Sequence, residues 1–301
     1  MLTVEPSGKV LGATVRGLDL SKPLDEGDLG RILVNLGRYG VLRFPEQSLD
    51  PGRQRMFCAQ FGPLHQNERH RVAGVPEVSI LSNIVENGEN IGYVDAGMIW
   101  HRDVTHRKVP AFATVLHALK VPRRGGKALG NTQFINTQAA YDDLSDDVKR
   151  RLRNLTVLHS SEKYNEQVRQ AGSKRPAFEK LPKRNPPVSH AILLAHPITG
   201  RTTLYCDPGS AIRIEQLTET ESDDLLRMLD SHQLQPQYRY DHVWTERDVL
   251  MWDNFSTLHR VSLDYAPAEP RLIQRTQIMA GSILDPSFVK AALGQAGIAI
   301  P

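Results

Sequence analysis

The sequence predicts an α+β fold whose core is mainly β-sheet, wrapped by helices. Three observations carry this expectation. Short apolar runs of strand length fill the middle and end of the chain. Helical patterns lie near both ends and in a polar insertion. Strands and helices do not alternate in the βαβ order that a doubly wound sheet requires.

Taken in order, residues 10–15 read as a strand, and residues 25–40 carry a helical period through Leu29, Ile32, Leu33 and Leu36. A strand over 41–44 is ended by Pro45, and an amphipathic helix over 54–61 stops at Gly62-Pro63. Residues 78–81 are a strand. Residues 82–98 are polar, bear glycine and show no period, which predicts a long loop over a site. A strand at 113–119 is closed by Pro122 and Gly125-Gly126; 133–136 is strand-like, and helical sections follow at 138–141 and 146–155. Residues 160–187 are polar, charged and proline-bearing, the composition of a mobile excursion or lid. Strands at 191–194 and 203–206 flank a turn at 197–200. The helix over 218–234 opens on a capping box, Thr218 with Glu221. Strands return at 238–244, 249–252 and 272–280. The expected organisation is one domain, 1–301, with lid insertions at 82–98 and 160–187.

The chain of 301 residues has 37 Lys and Arg interleaved with 34 Asp and Glu, a net charge of +3 without a basic run. Nucleic-acid binding is therefore not indicated. No stretch approaches the length of a membrane span. Cys58 and Cys206 form no CxxC pair, and the first residues lack a basic segment followed by an apolar run, so the expected location is the cytoplasm.

Chemistry concentrates first at His101-Arg102-Asp103. On a strand, i and i+2 share a face, so the imidazole and the carboxylate converge while Arg102 faces away. That is two thirds of the 2-His-1-carboxylate triad of non-haem Fe(II). Downstream, Trp252-Asp253-Asn254 is turn chemistry that returns the chain toward a cavity at His259. Arg271 and Arg275, four apart in an alternating segment, share a strand face. Arginine is the bidentate carboxylate binder, so the pair predicts two anions. Taken singly, His259 reads as a buried core histidine and Arg275 as the partner of a local carboxylate; the ordered set favours a site. His65, His70, His106, His117, His159, His190, His196 and His242 read as structural or exposed. Trp100, Trp244 and Trp252 read as core anchors. Tyr93, Asn83 and Arg102 are candidates for the cavity wall, weighed against plain loop positions.

The order Trp-His-x-Asp, Gly-Asn-Thr about thirty residues later, Trp-Asp-Asn…His-Arg and Arg-x-x-x-Arg resembles the taurine dioxygenase and 2,4-dichlorophenoxyacetate dioxygenase family. Supporting segments run from Leu11-Gly12-Ala13 and Phe61-Gly62-Pro63-Leu64-His65, through Ala139-Ala140-Tyr141-Asp142 and His196-Pro197-Ile198-Thr199-Gly200-Arg201, to Asp264-Tyr265 and Ile278. The resemblance implies a double-stranded β-helix, or jelly roll, of the clavaminate-synthase-like kind. It implies an Fe(II) enzyme with 2-oxoglutarate and O2 as co-substrates, releasing succinate and CO2 as it hydroxylates, and in some cases thereby cleaves, a small anionic molecule. His101, Asp103 and His259 would be the metal ligands. Arg271, assisted by Thr132, would hold the far carboxylate of 2-oxoglutarate, and Arg275 the substrate anion. Val104 would contact substrate. The resemblance also implies a homo-oligomer, dimer or tetramer.

Two departures stand out. The family's Gly-Gly-Asp-Thr is here Leu129-Gly130-Asn131-Thr132, with Gly125-Gly126 shifted upstream. Where the taurine-cleaving enzymes place a sulfonate-binding histidine, this chain has Asn67, an amide able to donate to substrate. The carboxylate of Asp103 argues for hydroxylation or desaturation over halogenation. Two alternatives are a same-fold oxidase that desaturates, cyclises or remodels a natural-product acid, and a catalytically silent jelly-roll binding protein; retention of the arginine clamp disfavours the latter.

Overall fold

The computed structural model describes residues 2–25, 27–173 and 185–298. Its main sheet has eight strands. Across it lie Thr3–Pro6, Ala13–Arg16, Val41–Phe44, Val249–Asp253, Ala111–Lys120, Leu272–Met279, Val75–Ser82 and Arg71–Val72. All neighbours are antiparallel except Ala13–Arg16 beside Val41–Phe44. A smaller sheet carries Thr132–Asn136 between Arg239–His242 and Thr257–Val261. A third sheet places Thr156–His159 between Val188–Ala191 and Ala211–Ile214.

Val249–Asp253 and most of Ala111–Lys120, central in the main sheet, are buried on both faces, which explains why they read as largely continuous apolar runs. Along Val249–Asp253, Val249 and Met251 join the core beneath the helices Asp28–Tyr39 and Pro51–Ala59, whereas Leu250 and Trp252 join a second core. In that second core Leu116, Ala118 and Ile273 of the main sheet meet Phe134 of the smaller one. The same alternation assigns Arg271, Ile273 and Arg275 to the side facing the smaller sheet. Two sheets packed face to face around one core are the jelly roll expected above.

Local signals placed several elements well. The capping box of Thr218 and Glu221 opens the helix Glu219–Gln233. The first helix ends on Gly40, whose φ of 68° is left-handed and where a Cβ would stand 2.6 Å from Leu11. Other expectations are corrected. The helix expected at 54–61 is Pro51–Ala59, because Asp50 accepts from the Arg53 amide and Pro51 sits at its first turn. The stretch 160–187 is not featureless: Ser160 caps a helix over Ser161–Gln170. That helix buries only Ser161 and Val168, too little for an apolar period to mark it. The lid expectation for 174–184 lies outside the described residues. The 82–98 segment forms a short hairpin, Val85–Glu86 with Glu89–Asn90, and returns to pair Tyr93 with Ile80 and Ser82. The strand Thr156–His159 and the closing helix Pro286–Gln295 were not read from the sequence. Cys58 and Cys206 are free and buried. Among the described residues no helix is long and apolar enough to cross a membrane.

Two histidines away from the cavity make stability depend on pH. Burial pushes His159 and His242 from 6.5 down to about 3. Asp248 lies 3.7 Å from His242 but is already paired with Arg43 at 3.0 Å, so it does not hold a proton there. Below pH 6.5 the unfolded chain takes up protons that the folded chain refuses, so stability falls as pH drops from 6.5 toward 3. From pH 7.5 to 5.5 each should cost about 1.4 kcal/mol, roughly 3 kcal/mol together. Urea midpoints of the metal-free protein at these two pH values measure this. An unchanged midpoint contradicts it, and His242→Phe should flatten the dependence.

Candidate metal centre and co-substrate pocket

His101, Asp103 and His259 meet in one place. One ligand atom from each lies within 4.8 Å of the others, and all three residues are buried. Nε2 of His101 is 3.8 Å from Asp103 Oδ1, and Nε2 of His259 is 3.8 Å from Asp103 Oδ2. A single antiparallel bridge joins the two histidine backbones, through 3.1 Å and 2.9 Å hydrogen bonds. His101 Nδ1 donates to the carbonyls of Ile99 (2.8 Å) and His259 (3.0 Å), which leaves the Nε2 lone pair turned to the centre. The His259 ring packs against Trp252 at 4.6 Å, so this tryptophan is both core anchor and site wall.

The three side chains converge, but not by strand geometry. After the bridge at His101 the backbone leaves the sheet and turns at Asp103. Val104 has a φ of 60°, a conformation that costs a β-branched residue about 1–3 kcal/mol. The side chains on either side of the turn pin it. Arg102 points away from the cavity: it donates to Thr137 Oγ1 (2.9 Å) and the Leu204 carbonyl (2.7 Å), and its guanidinium lies 4.8 Å from the Tyr205 ring centre. Thr105 donates to the buried Asp207 at 3.0 Å. His259 is held by a different device. Asp253 accepts from the amides of Phe255 and Ser256 and from Nε2 of His196, forming the turn that leads into the Thr257–Val261 strand. His196 Nδ1 accepts from the amides of Ile198 and Thr199, so its proton is on Nε2.

Charge at the centre suits a cation. Burial is the largest influence on Asp103 and raises it, but His259, His101, Arg275 and the Thr114 hydroxyl together outweigh it and hold the carboxyl well below the usual range. Burial, with His101 beside it, pushes His259 down to about 3. At neutral pH the set therefore offers a carboxylate and an imidazole lone pair. Those are the donors that Fe(II) takes.

His101, Asp103 and His259 open onto a cavity lined also by Leu81, Leu116, Thr132, Trp252, Arg271 and Arg275. Arg271 is buried with its Nε unpartnered, and its guanidinium is 6.0 Å from the Tyr265 ring centre. No carboxylate among the described residues is within ion-pair distance of it. A buried guanidinium without an acid calls for an anion from outside the chain. Thr132 Oγ1 accepts from Trp244 Nε1 at 3.1 Å, which leaves its own proton free for a carboxylate. Arg275 Nε donates to Ser79 Oγ at 3.2 Å, its Nη2 to Asn67 Oδ1 at 3.4 Å, and it stacks over Tyr93 at 5.7 Å.

Several candidates take other tasks than expected. The Asn67 amide donates to the Pro76 and Glu77 carbonyls, at 3.3 and 3.2 Å, and its oxygen faces Arg275. It thus holds the arginine and has no donor left for a substrate. Val104 is buried behind the ligand turn and is not among the residues lining the cavity. Asn83 lies behind Arg271, accepting from its backbone amide at 2.8 Å. Tyr93 supports Arg275 from below, and Arg102 is excluded from the cavity. His65, read as structural or exposed, is pushed down to about 4 by burial and then by the charges of Arg107 and Arg275. Thr114 and Ser79 were missed; each interrupts an apolar strand at a cavity-side position, a weak signal in the sequence.

The family model described as "Taurine catabolism dioxygenase TauD, TfdA family" matches residues 3–277. Pentalenolactone F synthase of Streptomyces avermitilis is 30% identical over 285 residues, covering 89% of this chain and 90% of that one. The (S)-phenoxypropionate/alpha-ketoglutarate-dioxygenase of Sphingobium herbicidovorans is 31% identical over 263 residues, covering 86% and 88%. The crystal structure of AAD-2 in complex with Mn(II) and N-oxalylglycine superposes with a TM-score of 0.74 at 28% identity, covering 93% of this chain and 97% of that one.

Proposed function

This chain belongs to the TauD, TfdA family of Fe(II)- and 2-oxoglutarate-dependent dioxygenases, and from that premise we propose that it oxidises a small organic acid at the His101, Asp103 and His259 centre. The observation that carries the proposal is the shared cavity: an imidazole and carboxylate set faces the same space as two arginines that form no ion pair among the described residues. Fe(II) bound there, with 2-oxoglutarate and O2, supplies an oxidation in which 2-oxoglutarate becomes succinate and CO2 and one oxygen atom enters the substrate.

The chain's own residues do the rest by binding and positioning. His101, Asp103 and His259 hold the metal and leave its remaining positions to ligands. Arg271 pairs with the far carboxylate of 2-oxoglutarate, and the Thr132 hydroxyl donates to the same group. Arg275 holds the anionic end of the substrate, steadied by Ser79, Asn67 and Tyr93. The two arginines are roughly 13 Å apart along the strand. They also rest on different supports, so they serve two separate anions. Leu81, Leu116 and Trp252 give the cavity apolar walls that exclude water and accept the substrate's carbon body. A dimer or tetramer in the cytoplasm completes the reading; sedimentation tests the assembly.

A second reading has its own support. The similarity to pentalenolactone F synthase favours oxidative remodelling of a natural-product acid by the same residues. A panel of sulfonates, aryloxyacids, alkyl sulfates, amino acids and polycyclic acids separates the two, with succinate release as the readout and mass spectrometry of the products. Coupled succinate from an acid, dependent on Fe(II) and 2-oxoglutarate, is the expected result. Product two hydrogens lighter than substrate indicates desaturation or ring closure. Absence of succinate from every acid, with no uncoupled turnover, rejects the enzyme reading.

A further inference from the structure

The carboxylate of Asp103 is held by two side chains that take no part in the ligand set. Thr114 Oγ1 donates to Asp103 Oδ2 at 2.6 Å, a charge-assisted bond. Asn254 Nδ2 donates to that same Thr114 oxygen at 3.1 Å. Asn254 Oδ1 in turn accepts from Trp252 Nε1 at 3.1 Å and, more loosely, from the Asp103 backbone amide at 3.4 Å. Thr114, Trp252 and Asn254 are essentially inaccessible to solvent.

The sense of every bond in this chain follows from chemistry. The indole and the backbone amide can only donate, so the Asn254 oxygen must face them and its NH2 must face Thr114. The Thr114 oxygen then accepts from Asn254, and its one proton goes to the remaining neighbour, Oδ2 of Asp103. Oδ1 receives no hydrogen bond from the described residues. The two carboxylate oxygens are therefore inequivalent before any metal arrives.

Resting on the proposed metal centre, we infer that Thr114, oriented by Asn254, is a positioning residue that makes Asp103 a one-oxygen ligand through Oδ1. The consequence concerns coordination number. Three protein atoms would hold the ion and would leave its other positions to the keto acid and one further ligand. A carboxylate free to rotate and bind through both oxygens would take one of them. The Trp252-Asp253-Asn254 turn thereby has two outputs: Asp253 sets the strand that carries His259, and Asn254 sets the rotation of Asp103.

The test uses Mn(II) as a redox-stable probe, titrated into the metal-free full chain and followed by the free-ion EPR signal. Thr114→Val keeps the shape and removes the hydroxyl; a 10- to 100-fold loss of Mn(II) affinity is expected, the range for partners of metal ligands. Thr114→Ser should restore affinity to within about threefold, which a purely structural role of the threonine would not produce. Asn254→Ala should also weaken binding, and its effect should not add to that of Thr114→Val, because both act through one bond. Wild-type affinity in Thr114→Val, or equal losses in the Val and Ser variants, overturns the inference. If Thr114→Val does not fold, Thr114→Ser and Asn254→Ala decide: unchanged affinity in Asn254→Ala overturns it. A wild-type chain that binds no Mn(II), or an Asp103→Ala variant that binds as well as wild type, overturns the metal centre itself and the inference with it. The first set of failures leaves that centre standing, so the two are distinguishable.

Discussion

Replacing Asp103 with alanine is expected to abolish metal-dependent activity and to leave the fold intact. The wild-type chain, given Fe(II) and 2-oxoglutarate without oxygen, should show the weak visible band of an iron-chelated keto acid. Asp103→Ala and His259→Ala should not. Asp103 is the only anionic donor of the three, and its carboxylate lies within 3.8 Å of both imidazole Nε2 atoms. Even partners one shell out from a metal are worth 10–100-fold in affinity, so loss of a ligand should cost roughly a hundredfold or more. The fold should tolerate the change. The turn that carries Asp103 is pinned by the side chains of Arg102 and Thr105, which the substitution leaves in place. A band of wild-type intensity in Asp103→Ala would show that the metal sits elsewhere.

Substitution of the two arginines is expected to separate the two anions. Arg271→Met should raise the KM for 2-oxoglutarate by about 30- to 1,000-fold, the equivalent of roughly 2–4 kcal/mol for a lost buried charge pair. The KM for the primary substrate should change little. Arg275→Ala should do the reverse. Arg271 carries a further signature, because in the metal-free chain its guanidinium is buried with no carboxylate partner among the described residues. Exchange for an apolar side chain of similar volume should leave thermal stability unchanged or raise it, while co-substrate binding collapses. Thermal melts beside steady-state kinetics read both effects. Equal effects of both substitutions on both KM values would refute the division of labour.

How far the site was legible can be argued residue by residue. His101, Asp103, His259, Arg271 and Arg275 were found because their types announce their chemistry and their order is that of a known family. Val249–Asp253 was legible as a strand because burial on both faces leaves a short continuous apolar run, and Leu272–Met279 because its arginine and its neighbours fall on strand spacing. The geometry of the ligand turn was not. Strand logic placed His101 and Asp103 on one face, and they do converge, but through a turn with a left-handed Val104 that nothing in a valine foretells. The helix Ser161–Gln170 escaped notice because its polar surface hides a very narrow buried stripe.

The sequence by itself determined the strand-rich core and the family, and it named the candidate donor set and the two candidate cationic anchors. Each of these is a property of residue type, local period or order along the chain. Only the tertiary structure decided what surrounds them. It packed the buried Arg102 onto Tyr205, set the side-chain oxygen of Asn67 to hold Arg275 across 208 positions, and brought Asn254 to Thr114 across 140. Such hydrogen bonds join residues far apart in the chain and follow no local period. They exist only once both sheets have packed, and then they aim the donors that the sequence had already named.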